Sequence, residues 1–129
     1  MAHHSRLAGF IIDCEGGSLA EAASFWSQAL GLAILDPDEG GEDRYARLDG
    51  SPVGLHIEVQ KVDHPSRVHL DIESDDIEAE AKRLIALGAK EIARPRNTRW
   101  IVLEAPTGQR FCVVRAREPL NADNATAHP

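Results

Sequence analysis

The chain has 129 residues, a formal net charge of -7 and 43% hydrophobic residues, enough for one folded domain with a real core. The negative balance opposes the clustered Lys and Arg that phosphate backbones and anionic lipid attract, so neither nucleic acid nor membrane is expected as a partner. No apolar run reaches the about 18 residues of a spanning helix, the start MAHHSRL has no apolar signal region, and Cys14 and Cys112 are too few for a disulfide scaffold. A cytoplasmic protein with both cysteines reduced is the expectation.

In chain order, the sequence says nearly the same thing twice. Leu7 to Cys14 is an almost unbroken apolar run and reads as a strand; Gly16-Gly17 turn the chain, and Ser18 with Glu21 three residues on reads as a helix capping box. The helix that follows places Leu19, Ala22, Trp26, Ala29 and Leu30 on one face, with Phe25 also expected to pack, and Gly31 is its stop. A short edge strand over 32–35, a polar loop over Asp36 to Asp43, and a hairpin of 44–48 with 54–60 complete the first copy. After the connector KVDHPS, Val68 to Ile72 repeats the first strand. Asp75 with Glu78 repeats the cap, Ile77, Ala81, Leu84 and Ile85 repeat the helix face, and Leu87-Gly88 echoes Leu30-Gly31. An edge strand over 90–93 and a hairpin of 99–104 with 110–115 across Pro106-Thr107-Gly108 close the second copy.

Two copies of one supersecondary unit predict an α+β fold: two βαβββ modules in tandem, helices outside a curved mixed sheet that leaves a concave cup. Module one covers about 5–60 and module two about 67–116, within a single domain over 1–117. The tail over 118–129 lacks periodicity and is expected to be disordered or loosely packed, and His3 and His4 to be solvated.

Phe25-Trp26 with Ala29-Leu30-Gly31, the run Val68-His69-Leu70-Asp71-Ile72 leading into Asp76-Ile77-Glu78-Ala79, and Glu104-Ala105-Pro106-Thr107-Gly108-Gln109-Arg110-Phe111 together resemble a glyoxalase-like domain of the vicinal oxygen chelate superfamily (glyoxalase, bleomycin resistance and dioxygenase proteins). The resemblance spans about Leu7 to Arg115. It implies paired modules, commonly a homodimer, and in many members a divalent metal that polarises vicinal oxygens of a substrate; other members have lost the metal and bind small molecules.

The resemblance draws four ligands from the first and last strands of each module. His69 fits one position, Ile11 occupies its counterpart and ligates nothing, and Cys112 stands where a glutamate is expected. The fourth is open: gapless alignment of the hairpins matches Cys112 with Ile57, a one-residue bulge with Glu58. The bulge avoids placing His56, Glu58 and Gln60 under a helix, where buried charge is costly. If a metal (Zn, Ni or Fe) is bound, its ligands are therefore His69, Glu58 and Cys112; the simpler expectation is a degenerate site without a cofactor.

Strand alternation puts His69 and Asp71, and by repeat Ile11 and Asp13, on the cup side, with Leu70 and Ile72 against the helix. His69, Asp71 and Asp13 are the candidate acid-base groups; Trp100, Gln60, His56, Val102, Arg110 and Tyr45 are the candidate ligand-binding residues. The expected function is binding of a small, partly apolar molecule. The alternatives are a metal-dependent lyase, isomerase or dioxygenase of the same superfamily, and an interaction or regulatory module.

Overall fold

The computed structural model describes residues 2–95 and 99–129. In chain order it contains β1 (His3–Glu15), α1 (Leu19–Leu30), β2 (Ile34–Glu39), β3 (Tyr45–Leu48), a 3-10 turn (Ser51–Val53), β4 (His56–Val62), β5 (Arg67–Ser74), α2 (Ile77–Ala86), β6 (Lys90–Ala93), β7 (Trp100–Glu104), β8 (Arg110–Arg115) and β9 (Thr126–His128). The class is α+β, with the β-α-β-β-β order occurring twice. The chain divides into two compact units, Gly9–His69 and the stretch up to Ala8 joined by the chain from Leu70 onward. Both boundaries fall inside strands, β1 and β5, rather than in the connector. Among the described residues no helix is long and apolar enough to cross a membrane.

In the unit Gly9–His69, β4 pairs parallel with β1 and antiparallel with β3, and β3 pairs antiparallel with β2. Ser18 caps α1 as expected, its Oγ accepting from the Glu21 N–H at 3.1 Å and donating to the Glu21 carboxylate at 3.0 Å, and Gly31 ends α1 at φ 70, left-handed backbone that suits glycine. Leu19 and Ala23 of α1 pack on Ala46, Leu48, Ile57 and Val59 of β3 and β4, with Phe10, Cys14, Ala22 and Trp26 at the margin. The expected helix face is thus displaced: Ala23 is inside, whereas Leu30 and Phe25 are exposed, Phe25 at 61% with only an edge-on contact to Trp26. Strand β2 also takes in Asp36 to Glu39, which reads as loop in the sequence, because Asp36 and Glu39 pair with Arg47 and Tyr45 across two register shifts.

In the other unit, β8 pairs parallel with β5 and antiparallel with β7, and β7 antiparallel with β6. Ile77 and Ala81 of α2 pack on Ile101, Leu103 and Val113. The N-cap is Asp76, accepting from the Ala79 N–H at 3.0 Å, and not Asp75. Asp75 instead accepts from the His4 N–H at 2.7 Å and from His4 Nδ1 at 2.8 Å. Leu70, expected against the helix, and Ile85, expected on the helix's buried face, are exposed. Strand β9 pairs with the start of β1 in the register His3↔His128, His4↔Ala127, Ser5↔Thr126, and Leu120 is buried. The tail therefore carries ordered structure, and His3 is buried rather than solvated, because the edge of β1 offers backbone donors and acceptors that only a strand satisfies.

Candidate functional site

Alternation decides which side chains share a face. In the unit Gly9–His69, burial of Ala46, Leu48, Ile57 and Val59 under α1 turns Tyr45, Arg47, His56, Glu58 and Gln60 to the opposite face. Registers align them in two rows: Glu39, Tyr45, Gln60 and Asp13 across one, and Asp36, Arg47, Glu58 and Ile11 across the next. A sheet face so rich in ionisable groups, with Asp13 and Glu58 both buried, is unfavourable unless each charge finds a partner.

Asp13 finds three. Its Oδ2 accepts from His69 Nδ1 at 2.8 Å, with Arg67 Nε at 3.6 Å and His64 Nε2 at 3.9 Å. The His69 partner lies 56 positions away in the chain. A carboxylate on Nδ1 fixes the imidazole tautomer and orients the ring. His64 also donates from Nδ1 to the Pro65 carbonyl at 2.9 Å, tying down the connector.

Glu58 belongs to a second group. His56 Nε2 donates to Glu58 Oε1 at 2.7 Å, Glu39 lies beside Glu58, and Arg47 Nε is 3.6 Å from Glu39 Oε2. The hydrogen bond shared with Glu58, then burial and the Glu58 charge, push the Glu39 carboxyl above its usual range, against the opposing pull of Arg47 and His56. A raised carboxyl stabilises the fold fully below its unfolded pKa and loses that contribution as pH rises through the folded value. Stability should therefore drop slightly as pH climbs past the ordinary Glu range, and Glu39→Gln should flatten that slope in urea melts taken from acid to neutral pH. An unchanged slope counts against a shared proton. Arg47 and Glu39 were not foreseen, since the segment holding Glu39 reads as loop.

Tyr45 and Gln60 meet directly, Gln60 Nε2 donating to Tyr45 Oη at 3.1 Å. In the other unit, Trp100, Val102, Cys112 and Val114 share the face opposite Ile101, Leu103 and Val113. There Trp100 lies across from Val114, Val102 from Cys112, and Asp71 from Cys112 in β5. Arg110 stands opposite Glu104 with Nε 4.0 Å from its carboxylate. The two hairpin registers settle the alignment: with Tyr45 matched to Trp100, Glu58 and not Ile57 occupies the position of Cys112. The extra residue sits in the loop holding the 3-10 turn. Neither cysteine is in a disulfide, and burial pushes the Cys14 thiol up.

The donor atoms of Glu39, His56 and Glu58 lie within 4.8 Å of one another. Of the set expected from the resemblance, His69 Nδ1 is held by Asp13 and Glu58 lies with His56 and Glu39.

Several solved structures share this fold. A hypothetical protein from Bacillus halodurans superposes with a TM-score of 0.62 at 16% identity, over 91% of this chain and 98% of that one. Methylmalonyl-CoA epimerase from Mycobacterium tuberculosis gives 0.58 at 14% identity, over 87% and 90%. A glyoxalase/bleomycin resistance protein/dioxygenase superfamily member from Vibrio splendidus gives 0.55 at 16% identity, over 87% and 99%. No curated protein sequence matches the chain. The family model for the glyoxalase-like domain matches residues 9–114, from the glycine that opens the first unit into β8, and the chain belongs to that glyoxalase-like family.

Proposed function

We propose that this chain binds a small, partly apolar molecule carrying an oxygen function, on the polar face of β1, β3 and β4. The observation that carries this reading is the Asp13–His69 contact at 2.8 Å: a buried carboxylate fixes the tautomer and the orientation of an imidazole that can exchange a proton with a ligand oxygen. Tyr45, Gln60 and His56 line the same face, and the buried Ile11 stands opposite Glu58. Asp13 acts through His69 as a positioning group. The reading extends to a cytoplasmic homodimer, which light scattering on the purified protein tests.

A divalent ion fits the donor chemistry of Glu39, His56 and Glu58, two crowded carboxylates and an imidazole whose mutual repulsion a cation relieves. The set His69, Glu58 and Cys112 fits it less well, because Ile11 opposite Glu58 offers no donor and His69 Nδ1 is already engaged. This supports a degenerate family site and keeps metal-assisted lyase, isomerase or dioxygenase chemistry as the second reading. When bound, an ion supplies a Lewis acid that polarises a substrate oxygen. The chain's own residues orient that oxygen and hold a proton at His69.

Chelator-treated protein should be titrated calorimetrically with a panel of small carboxylates, carbonyl compounds and acyl thioesters, starting with methylmalonyl-CoA. At least one should bind, with Kd rising about tenfold in His69→Ala and in Gln60→Ala, the loss of about one hydrogen bond to a polar ligand group. Binding untouched by both substitutions overturns the assignment. Stoichiometric divalent metal in protein purified without chelator, lost in Glu58→Gln, moves the conclusion to the second reading.

A further inference from the structure

We propose that His3, Glu80 and His128 form a binding site for a divalent cation of the zinc class, built wholly within the unit that contains α2. The three residues come from β1, α2 and β9, and their donor atoms lie within 4.8 Å of one another. His3 and His128 are cross-strand partners, which sets their rings side by side with centroids 5.0 Å apart. Both Nε2 atoms face the same oxygen: His3 Nε2 is 2.8 Å and His128 Nε2 4.0 Å from Glu80 Oε1. Zinc bonds of about 2.0 to 2.1 Å in tetrahedral geometry separate donors by about 3.3 to 3.4 Å, and the two observed separations bracket that spacing.

Two imidazoles and one carboxylate are a donor set that zinc takes in three-ligand sites, leaving a fourth position open. Arg83 orients the carboxylate by holding both Glu80 oxygens, Nε to Oε1 and Nη2 to Oε2, each at 2.8 Å. Ser5 Oγ lies 2.9 Å from His128 Nε2, a contact that the ion would replace. Glu80 is fully buried and His3 nearly so. Burying the His3 ring is costly when its one hydrogen bond among the described residues is that to Glu80. A cation would tie the first strand, the second helix and the last strand at one point.

The test is calorimetric titration of the intact chain with Zn2+, beside His128→Ala, His3→Ala and Glu58→Gln. His128 lies in a three-residue strand, so its substitution leaves both hydrophobic clusters intact. Expected is one Zn2+ site weakened about tenfold or more in His128→Ala and His3→Ala and unchanged in Glu58→Gln. Trypsin cleavage after Arg117, ahead of the docked tail, should be slowed by Zn2+ in the unmodified chain and not in His128→Ala. Equal affinity in His128→Ala, loss through Glu58→Gln instead, or no Zn2+ binding at all overturns the proposal.

Discussion

Gly9→Ala should be severely damaging, lowering stability by about 3 kcal/mol or more, or preventing folding outright. A Cβ at Gly9 would stand 1.7 Å from the His56 carbonyl oxygen and 2.6 Å from its carbon. Backbone fixes the Cβ direction, so no rotamer change relieves the clash; β1 and β4 must separate at the Gly9↔His56 pair. Because β4 carries His56, Glu58 and Gln60, that separation would also scatter the polar face. Gly40→Ala is the matched control: its φ of 86 strains a side chain, but nothing lies within 4 Å of its Cβ, so about 1 kcal/mol is expected. Urea melts of the two variants decide the matter. A Gly9→Ala protein as stable as the control means that the strands are not in this close contact.

The second large effect is expected at Asp13. Asp13→Ala removes the acceptor for His69 Nδ1 and the buried countercharge beside Arg67, and should cost about 3 kcal/mol, the usual penalty for breaking a buried pair. Asp13→Asn keeps an oxygen of the same reach and should restore most of that stability. It should not restore ligand affinity, because an uncharged amide holds the imidazole tautomer less firmly; about a tenfold rise in Kd is expected. The split between recovered stability and unrecovered binding separates a positioning role from a packing one. Equal affinity in Asp13→Asn and the unmodified chain would remove Asp13 from the site.

Much of the architecture was legible in the sequence because it is written at short range. Strand alternation, the four-residue spacing of Ile77 and Ala81, and the Ser18–Glu21 cap involve residues two to four positions apart, and local geometry enforces them. The same alternation placed His56, Glu58 and Gln60 together, and the cost of burying charge distinguished Glu58 from Ile57 before any coordinate did. Where local signals competed, the reading slipped by a residue or a turn. Asp75 and Asp76 are equally good caps on paper, and Phe25 and Trp26 equally apolar; only the direction of each helix on its sheet chose Asp76 and left Phe25 in solvent.

The partnerships that give the sites their chemistry were written nowhere along the chain. His69 meets Asp13 across 56 positions and His3 meets Glu80 across 77. Glu39 reaches Glu58 only because two register shifts in β2 bring an apparently loop segment into the sheet. Composition and periodicity determined that this protein is an α+β chain with two repeated helix-on-sheet units and polar strand faces. Which carboxylate orients which histidine, and that the two ends of the chain close over a buried glutamate, was decided by strand register and by the need to pair charge that packing had removed from water.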